Sequence, residues 1–162
     1  MDPKWYTYLP DVITQEECNL LYECFTNQEH IPVTTKWFAQ HRFFAQPEIL
    51  QKTNQVVSKV VDSLGLTLKS GPQPRVFLEG DYMEWHIDYL YEKSEDIVLE
   101  CILTVHNDSD SITKFKAGSR QSQVNTQAGS LLIVTRRGVC HSVTPVTSGK
   151  RYTIKFSCTL QD

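Results

Sequence analysis

Apolar residues change their period once along this chain, close to Gly65. Before it they recur at helical spacing. Thr14 is followed three residues on by Glu17, and then Cys18, Leu21, Tyr22 and Phe25 fall on one stripe. A capping box followed by i, i+3, i+4, i+7 apolar positions predicts an amphipathic helix. A second helix is predicted from Pro47 to just before Gly65, with Ile49, Val56, Val57, Val60 and Leu64 on its buried face. Proline suits the first turn and glycine the position past the last. Both helices read as packing elements without chemistry.

After Gly65 the texture becomes short runs rich in Val, Ile, Thr and aromatic residues, separated by turn signals such as Ser70-Gly-Pro and Ser148-Gly. The runs predict strands at 74–78, 82–89, 97–106, 112–116, 122–125, 130–135, 140–146 and 150–160. Short strands at this spacing predict a mainly β fold, a sandwich or barrel such as a jelly roll. No linker divides the chain, so residues 1–162 are expected to form one domain, with helical support over about 10–65 and a β core over about 66–160.

Composition narrows the class. Of 162 residues, 40% are hydrophobic and 22% charged, an ordinary globular balance. No apolar run approaches the roughly 20 residues of a membrane span. The opening MDPKWYTYLPDV lacks the apolar stretch of a secretion signal. Five cysteines, odd in number and without CxxC pairing, suggest reduced thiols. A cytoplasmic protein with no membrane partner is the expectation; its oligomeric state is open. Residues 1–112 carry 8 Lys/Arg and 18 Asp/Glu, whereas residues 113–162 carry 8 and one. A basic half can mark a polyanion site, but the net charge of −3 opposes a nucleic-acid footprint.

The first candidate chemistry is His86-Ile-Asp88. On a strand, alternate side chains share a face, so His86 and Asp88 point one way and can bite one metal ion. Trp85, pointing opposite, is expected to face the core. A third ligand must come from a distant element, and His30, His41, His106 and His141 are the candidates. Two histidines and one carboxylate with open positions form the facial triad of non-heme Fe(II) oxygenases; the same set also suits Zn²⁺. Arg151, ten residues after His141 across a turn at Ser148-Gly149, is placed to fork a carboxylate, with Thr153 on the same face.

These residues resemble a known family. The segment Arg75-Val-Phe-Leu-Glu-Gly-Asp-Tyr-Met-Glu-Trp-His-Ile-Asp88 looks like the HxD region of Fe(II)/2-oxoglutarate dioxygenases. Gly129-Ser-Leu-Leu-Ile-Val resembles their strand before the distal histidine. The run from His141 to Phe156 is similar to the prolyl-hydroxylase-type ending, and Leu9-Pro-Asp-Val-Ile-Thr-Gln-Glu-Glu-Cys to the opening of that branch. The resemblance implies a double-stranded β-helix, or jelly roll, backed by the two helices. It implies Fe(II) on His86, Asp88 and His141, and 2-oxoglutarate with its far carboxylate on Arg151, aided by Thr153. Dioxygen would be reduced as 2-oxoglutarate breaks to succinate and CO2 and a substrate C–H bond is hydroxylated; ascorbate is a candidate addition. A protein or peptide substrate, such as a proline side chain, is the leading expectation. Thr104 stands where many relatives place a Tyr for 2-oxoglutarate, and Arg75 is a further carboxylate candidate. The AlkB branch, whose members act on nucleic acid or small molecules, has Asn and Tyr where this chain has Arg75 and Phe77, and a second Arg where it has Ser157. That alternative, with nucleic acid as partner, and a non-catalytic metal-binding jelly roll are the competing expectations.

The segment after Asp88, including Tyr89 and Tyr91, is expected to close over the metal as a substrate lid. Arg136 and Arg137 lie near the expected mouth, and Tyr89 and Arg137 are candidate substrate contacts. Trp5, Trp37 and Trp85 read as packing residues first and a substrate wall second.

Overall fold

A computed structural model describes residues 5–35, 39–88, 98–135 and 139–161. Both predicted helices form. Helix α1 spans Gln15–Phe25 and α2 spans Pro47–Ser63. Thr14 caps α1: its Oγ1 accepts from the Glu17 amide at 3.1 Å, and Glu17 Oε1 accepts from the Thr14 amide at 3.2 Å. Two amides with no partner inside the helix are thereby satisfied. Gly65, just past α2, sits at φ 64°, where a side chain would be strained.

Among the described residues eleven strands accompany them: β1 Tyr6–Leu9, β2 Ile31–Thr35, β3 Ala39–Phe43, β4 Leu66–Phe77, β5 Tyr82–His86, β6 Val98–Asn107, β7 Thr113–Ala117, β8 Arg120–Val124, β9 Leu131–Thr135, β10 Cys140–Val143 and β11 Arg151–Leu160. The apolar pattern does not announce β1, β2 and β3. They are short, and β2 exposes most of its side chains. Strand β4 begins at Leu66 rather than 74, because Gly71-Pro72 is not a turn. It marks an irregularity in a continuous strand, where the register with β11 shifts between Lys155 and Ser157. A Cβ on Gly71 would lie 2.9 Å from the Lys155 carbonyl oxygen, so only glycine lets the two backbones approach there.

All strand pairs are antiparallel. Strands β4 to β11 make two four-stranded halves, β4-β11-β6-β9 and β5-β10-β7-β8, the strand order of a jelly roll; β3 pairs with both β4 and β5 and joins the halves. The sheet curls until its ends meet. The Tyr6 ring of β1 stacks on Phe115 of β7 at 4.2 Å, and its hydroxyl lies 3.1 Å from Ser122 Oγ of β8.

The helices cover the outer face of the β4-β11-β6 wall. Cys18, Leu21 and Phe25 of α1 and Ile49, Val57 and Val60 of α2 share one cluster with Val76, Leu103, Tyr152, Ile154 and Phe156. Each large side chain so buried contributes about 1.5–3 kcal/mol. On β11 the alternation is strict: Tyr152, Ile154, Phe156 and Cys158 meet the helices, and Arg151, Thr153, Lys155 and Ser157 face the inside of the curl. No described helix is long and apolar enough to cross a membrane.

Candidate metal centre

Strand β5 ends at His86, so Asp88 lies two residues beyond it rather than within a strand running to 89. Strand β10 pairs with β5 so that His141 stands directly opposite His86. That register brings the two imidazoles together, with ring centroids 4.3 Å apart and planes inclined by 58°. His141 Nε2 lies 3.2 Å from Asp88 Oδ2, and His86 Nε2 lies 3.5 Å from Asp88 Oδ1. One ligand atom from each of the three falls within 4.8 Å of the others.

The other histidines sit elsewhere. His106 stacks on Tyr22 at 4.3 Å, under the helices, and His30 meets Phe44 edge-on at 6.0 Å. His41 is buried against Phe77, their rings 5.6 Å apart. Burial, then the charges of Arg75 and Lys155, push it down to about 4, so it is neutral at pH 7.

Each imidazole of the cluster is held by its other nitrogen. His86 Nδ1 lies 2.7 Å from the Glu84 carbonyl oxygen, and His141 Nδ1 lies 3.1 Å from that of Val139. A carbonyl only accepts, so both Nδ1 atoms carry protons and, in the neutral rings, both Nε2 lone pairs turn inward. They converge on a carboxylate that is also only an acceptor. Burial pushes the Asp88 carboxyl up, but His141, His86 and the charge of Lys155 outweigh it and hold it well below the usual carboxylate range. Three lone-pair donors at these distances need a shared proton or a cation between them. The donor set suits a divalent transition metal.

The triad opens onto a cavity of about 40 Å³. At one end lies Arg151, 3% exposed, among Phe77, Leu132 and Val143. Its Nη2 donates to Thr113 Oγ1 at 3.2 Å, and its buried Nε has no hydrogen-bond partner among the described residues. Burial pushes the guanidinium down to about 10, still charged at neutral pH. A buried cation with unspent donors is costly by itself. It fits an anionic ligand, and its planar fork fits a carboxylate.

Thr153 also lines this cavity, and Arg75 enters it from β4. From β6 it is Ile102 that reaches the lining; Thr104, fully buried, pairs across to Thr153, and its hydroxyl lacks a hydrogen-bond partner among the described residues. Tyr89, Arg136, Arg137, Trp37 and the segment 90–96 lie outside the described residues. Trp5 is buried in the cluster of Tyr6 and Phe115. Trp85 is a correction: it is 36% exposed, with Lys116 Nζ 4.3 Å above its ring. His86 faces the interior, so its strand neighbour faces outward. The sequence reading missed Lys155, whose Nζ lies 3.4 Å from Asp88 Oδ1 and 3.8 Å from Glu100 Oε2. The signal was the polar alternation Arg151, Thr153, Lys155, Ser157.

No protein-family model and no curated protein sequence matches this chain. Solved structures do. A prolyl-4-hydroxylase of Pseudomonas putida superposes with a TM-score of 0.69 at 16% identity, covering 98% of this chain and 94% of that one. A Trichoplax adhaerens prolyl hydroxylase, in complex with a hypoxia inducible factor oxygen degradation domain peptide fragment, gives 0.70 at 10%, covering 97% and 84%. HygX of Streptomyces hygroscopicus, with nickel and 2-oxoglutarate bound, gives 0.72 at 10%, covering 99% and 84%. The chain has the fold of the 2OG-Fe(II) oxygenases. Prolyl-4-hydroxylases are among the oxygenases that share it, and the His-Asp-His cluster lies inside that oxygenase fold.

Proposed function

We propose that this chain, as one catalytic domain, is an Fe(II)- and 2-oxoglutarate-dependent dioxygenase that hydroxylates a C–H bond of a protein side chain such as proline. One observation carries the reading: a His-Asp-His cluster and a buried guanidinium with an unspent Nε share one narrow cavity. A structural metal site has no use for that guanidinium. The peptide held by the Trichoplax hydroxylase supports a protein substrate.

His86, Asp88 and His141 would hold Fe(II). Arg151 would bind the far carboxylate of 2-oxoglutarate, with Thr113 fixing the guanidinium plane and Thr153 offering a hydroxyl beside it. Phe77, Leu132 and Val143 exclude water from that end and strengthen the ion pair. The bound iron supplies the reduction of dioxygen coupled to 2-oxoglutarate decarboxylation; ascorbate is a candidate auxiliary. Five cysteines, odd in number and without CxxC spacing, support a reducing, cytoplasmic compartment.

Anaerobic titration with Fe(II) and 2-oxoglutarate tests the reading. A weak visible metal-to-ligand charge-transfer band is expected, and folded, metal-loaded protein without one sinks the proposal. H86A should abolish the band. R151A should weaken 2-oxoglutarate by about 100-fold or more while leaving iron affinity near wild type, since charge-assisted hydrogen bonds contribute about 1.5–3 kcal/mol each. Succinate release with peptide, nucleic-acid and small-molecule panels then identifies the substrate class.

A further inference from the structure

A second cavity, of about 250 Å³, adjoins the first, and its lining includes Ser70, Gln73, Arg75, Glu100, Lys155 and Ser157, with Gly71 and Phe156. Arg75 and Lys155 line both cavities. The order along β11 explains the arrangement. Arg151 stands at one end, and Lys155 lies four residues on, about 13 Å at the rise of a strand. Asp88 of the metal cluster meets Lys155. Ser157 and its cross-strand partner Ser70 lie further still, joined by their hydroxyls. The second cavity therefore begins at the metal cluster and runs away from Arg151. Arg75 pairs with Thr153 and Lys155 with Gln73, so the two cations are diagonal neighbours on one face.

We infer that Arg75 and Lys155 form a second anion subsite, which binds an acidic group of the substrate, carboxylate or phosphate, beside the carbon to be oxidised. The inference rests on the dioxygenase reading and names the substrate chemistry that reading leaves open.

Charge balance calls for such a group. Among the described residues, the two cavities hold three cations, Arg75, Arg151 and Lys155, against two carboxylates, Asp88 and Glu100. A divalent metal adds two positive charges and 2-oxoglutarate removes two, which leaves a surplus of one positive charge among the described residues. Metal binding also takes up the Asp88 carboxylate that Lys155 touches. Arg75 has donors to give. Its Nη2 donates to Gln73 Oε1 at 2.5 Å, but its buried Nε has no hydrogen-bond partner among the described residues. Burial is the main cause of the low affinity of His41 for a proton, and the charges of Arg75 and Lys155 add to it. The serine hydroxyls add neutral donors of the kind a phosphate or carboxylate accepts from.

Protein loaded with Mn(II) and 2-oxoglutarate provides the test, since Mn(II) broadens the proton resonances of any probe bound beside it. The probes are N-acetyl-aspartate, N-acetyl-phosphoserine and N-acetyl-asparagine. At least one acidic probe should bind about tenfold or more tightly than the amide, in line with a charge-assisted hydrogen bond, and the stronger of the two separates carboxylate from phosphate. R75Q should remove that preference while leaving Mn(II) and 2-oxoglutarate affinity within about twofold. Equal binding of all three probes, an unchanged preference in R75Q, or a loss of 2-oxoglutarate in R75Q overturns the inference. If R75Q fails to fold by circular dichroism, R75K must keep the preference and K155M must lose it. Failure of the wild type to take up Mn(II) with 2-oxoglutarate overturns the dioxygenase reading, and the inference with it.

Discussion

Neighbouring residues of β11 occupy two different environments. Tyr152, Ile154, Phe156 and Cys158 are pressed between the sheet and the helices, in an apolar cluster shared by both. Arg151, Thr153, Lys155 and Ser157, one position over, face the inside of the curl and are buried or nearly so while remaining polar or charged. The outer face lowers the free energy of the fold through buried area. The inner face raises it, because desolvated charges and unmatched donors are unfavourable until a ligand meets them. One strand thus carries the stability on one side and the candidate chemistry on the other, and the two should respond in opposite directions to substitution.

The largest effect is expected on the outer side. I154A removes a side chain with no exposure and should cost about 2–5 kcal/mol in urea unfolding, with 2-oxoglutarate affinity of the folded fraction unchanged. R151M should do the reverse. It should weaken 2-oxoglutarate by about 100-fold and raise unfolding stability by about 1–2 kcal/mol, as replacement of a buried charge by an apolar group of similar volume often does. Loss of stability in R151M, with no loss of affinity, would break the comparison.

A smaller effect is expected from His41. Its folded-state value of about 4 lies below the ordinary 6.5. The unfolded chain therefore binds more protons between these limits, and stability falls as pH drops from about 6.5 to 4. The loss should be roughly 1–3 kcal/mol for this buried group, seen as a slope in urea midpoints across that range. H41Q should flatten the slope. The smallest effect belongs to the periphery: T14A removes the α1 cap and should cost about 1 kcal/mol without touching either face of β11.

The same two faces explain what was legible in the sequence. Cys18, Leu21 and Phe25, or Ile49, Val57 and Val60, declare a buried side because apolar spacing has one meaning. That His86, Asp88 and His141 would cluster, with Arg151 on the same cavity, was legible from their residue types, order and separation. Lys155 and Glu100 were not, because a charged residue alternating with apolar ones reads equally as facing water or facing a cavity. Only the curl of the sheet decides between them. Strands β1 and β3 escaped for another reason: they gain their order from long-range pairing, β1 with β9 and β3 with β4 and β5, which no local window contains; β2 follows by pairing with β3. Gly71-Pro72 carried a turn signature, but tertiary pairing made it a kink in a strand.

The two carbonyl tethers, from Glu84 to His86 and from Val139 to His141, have a kinetic and entropic meaning. Each imidazole is oriented by a residue two positions earlier on its own chain segment, so each ligand is a self-contained tripeptide device. A metal ion binding here would meet rings whose torsional freedom is already spent in folding. Association would then consume little further disorder, and the orientation of the two rings would be a local property of two short segments.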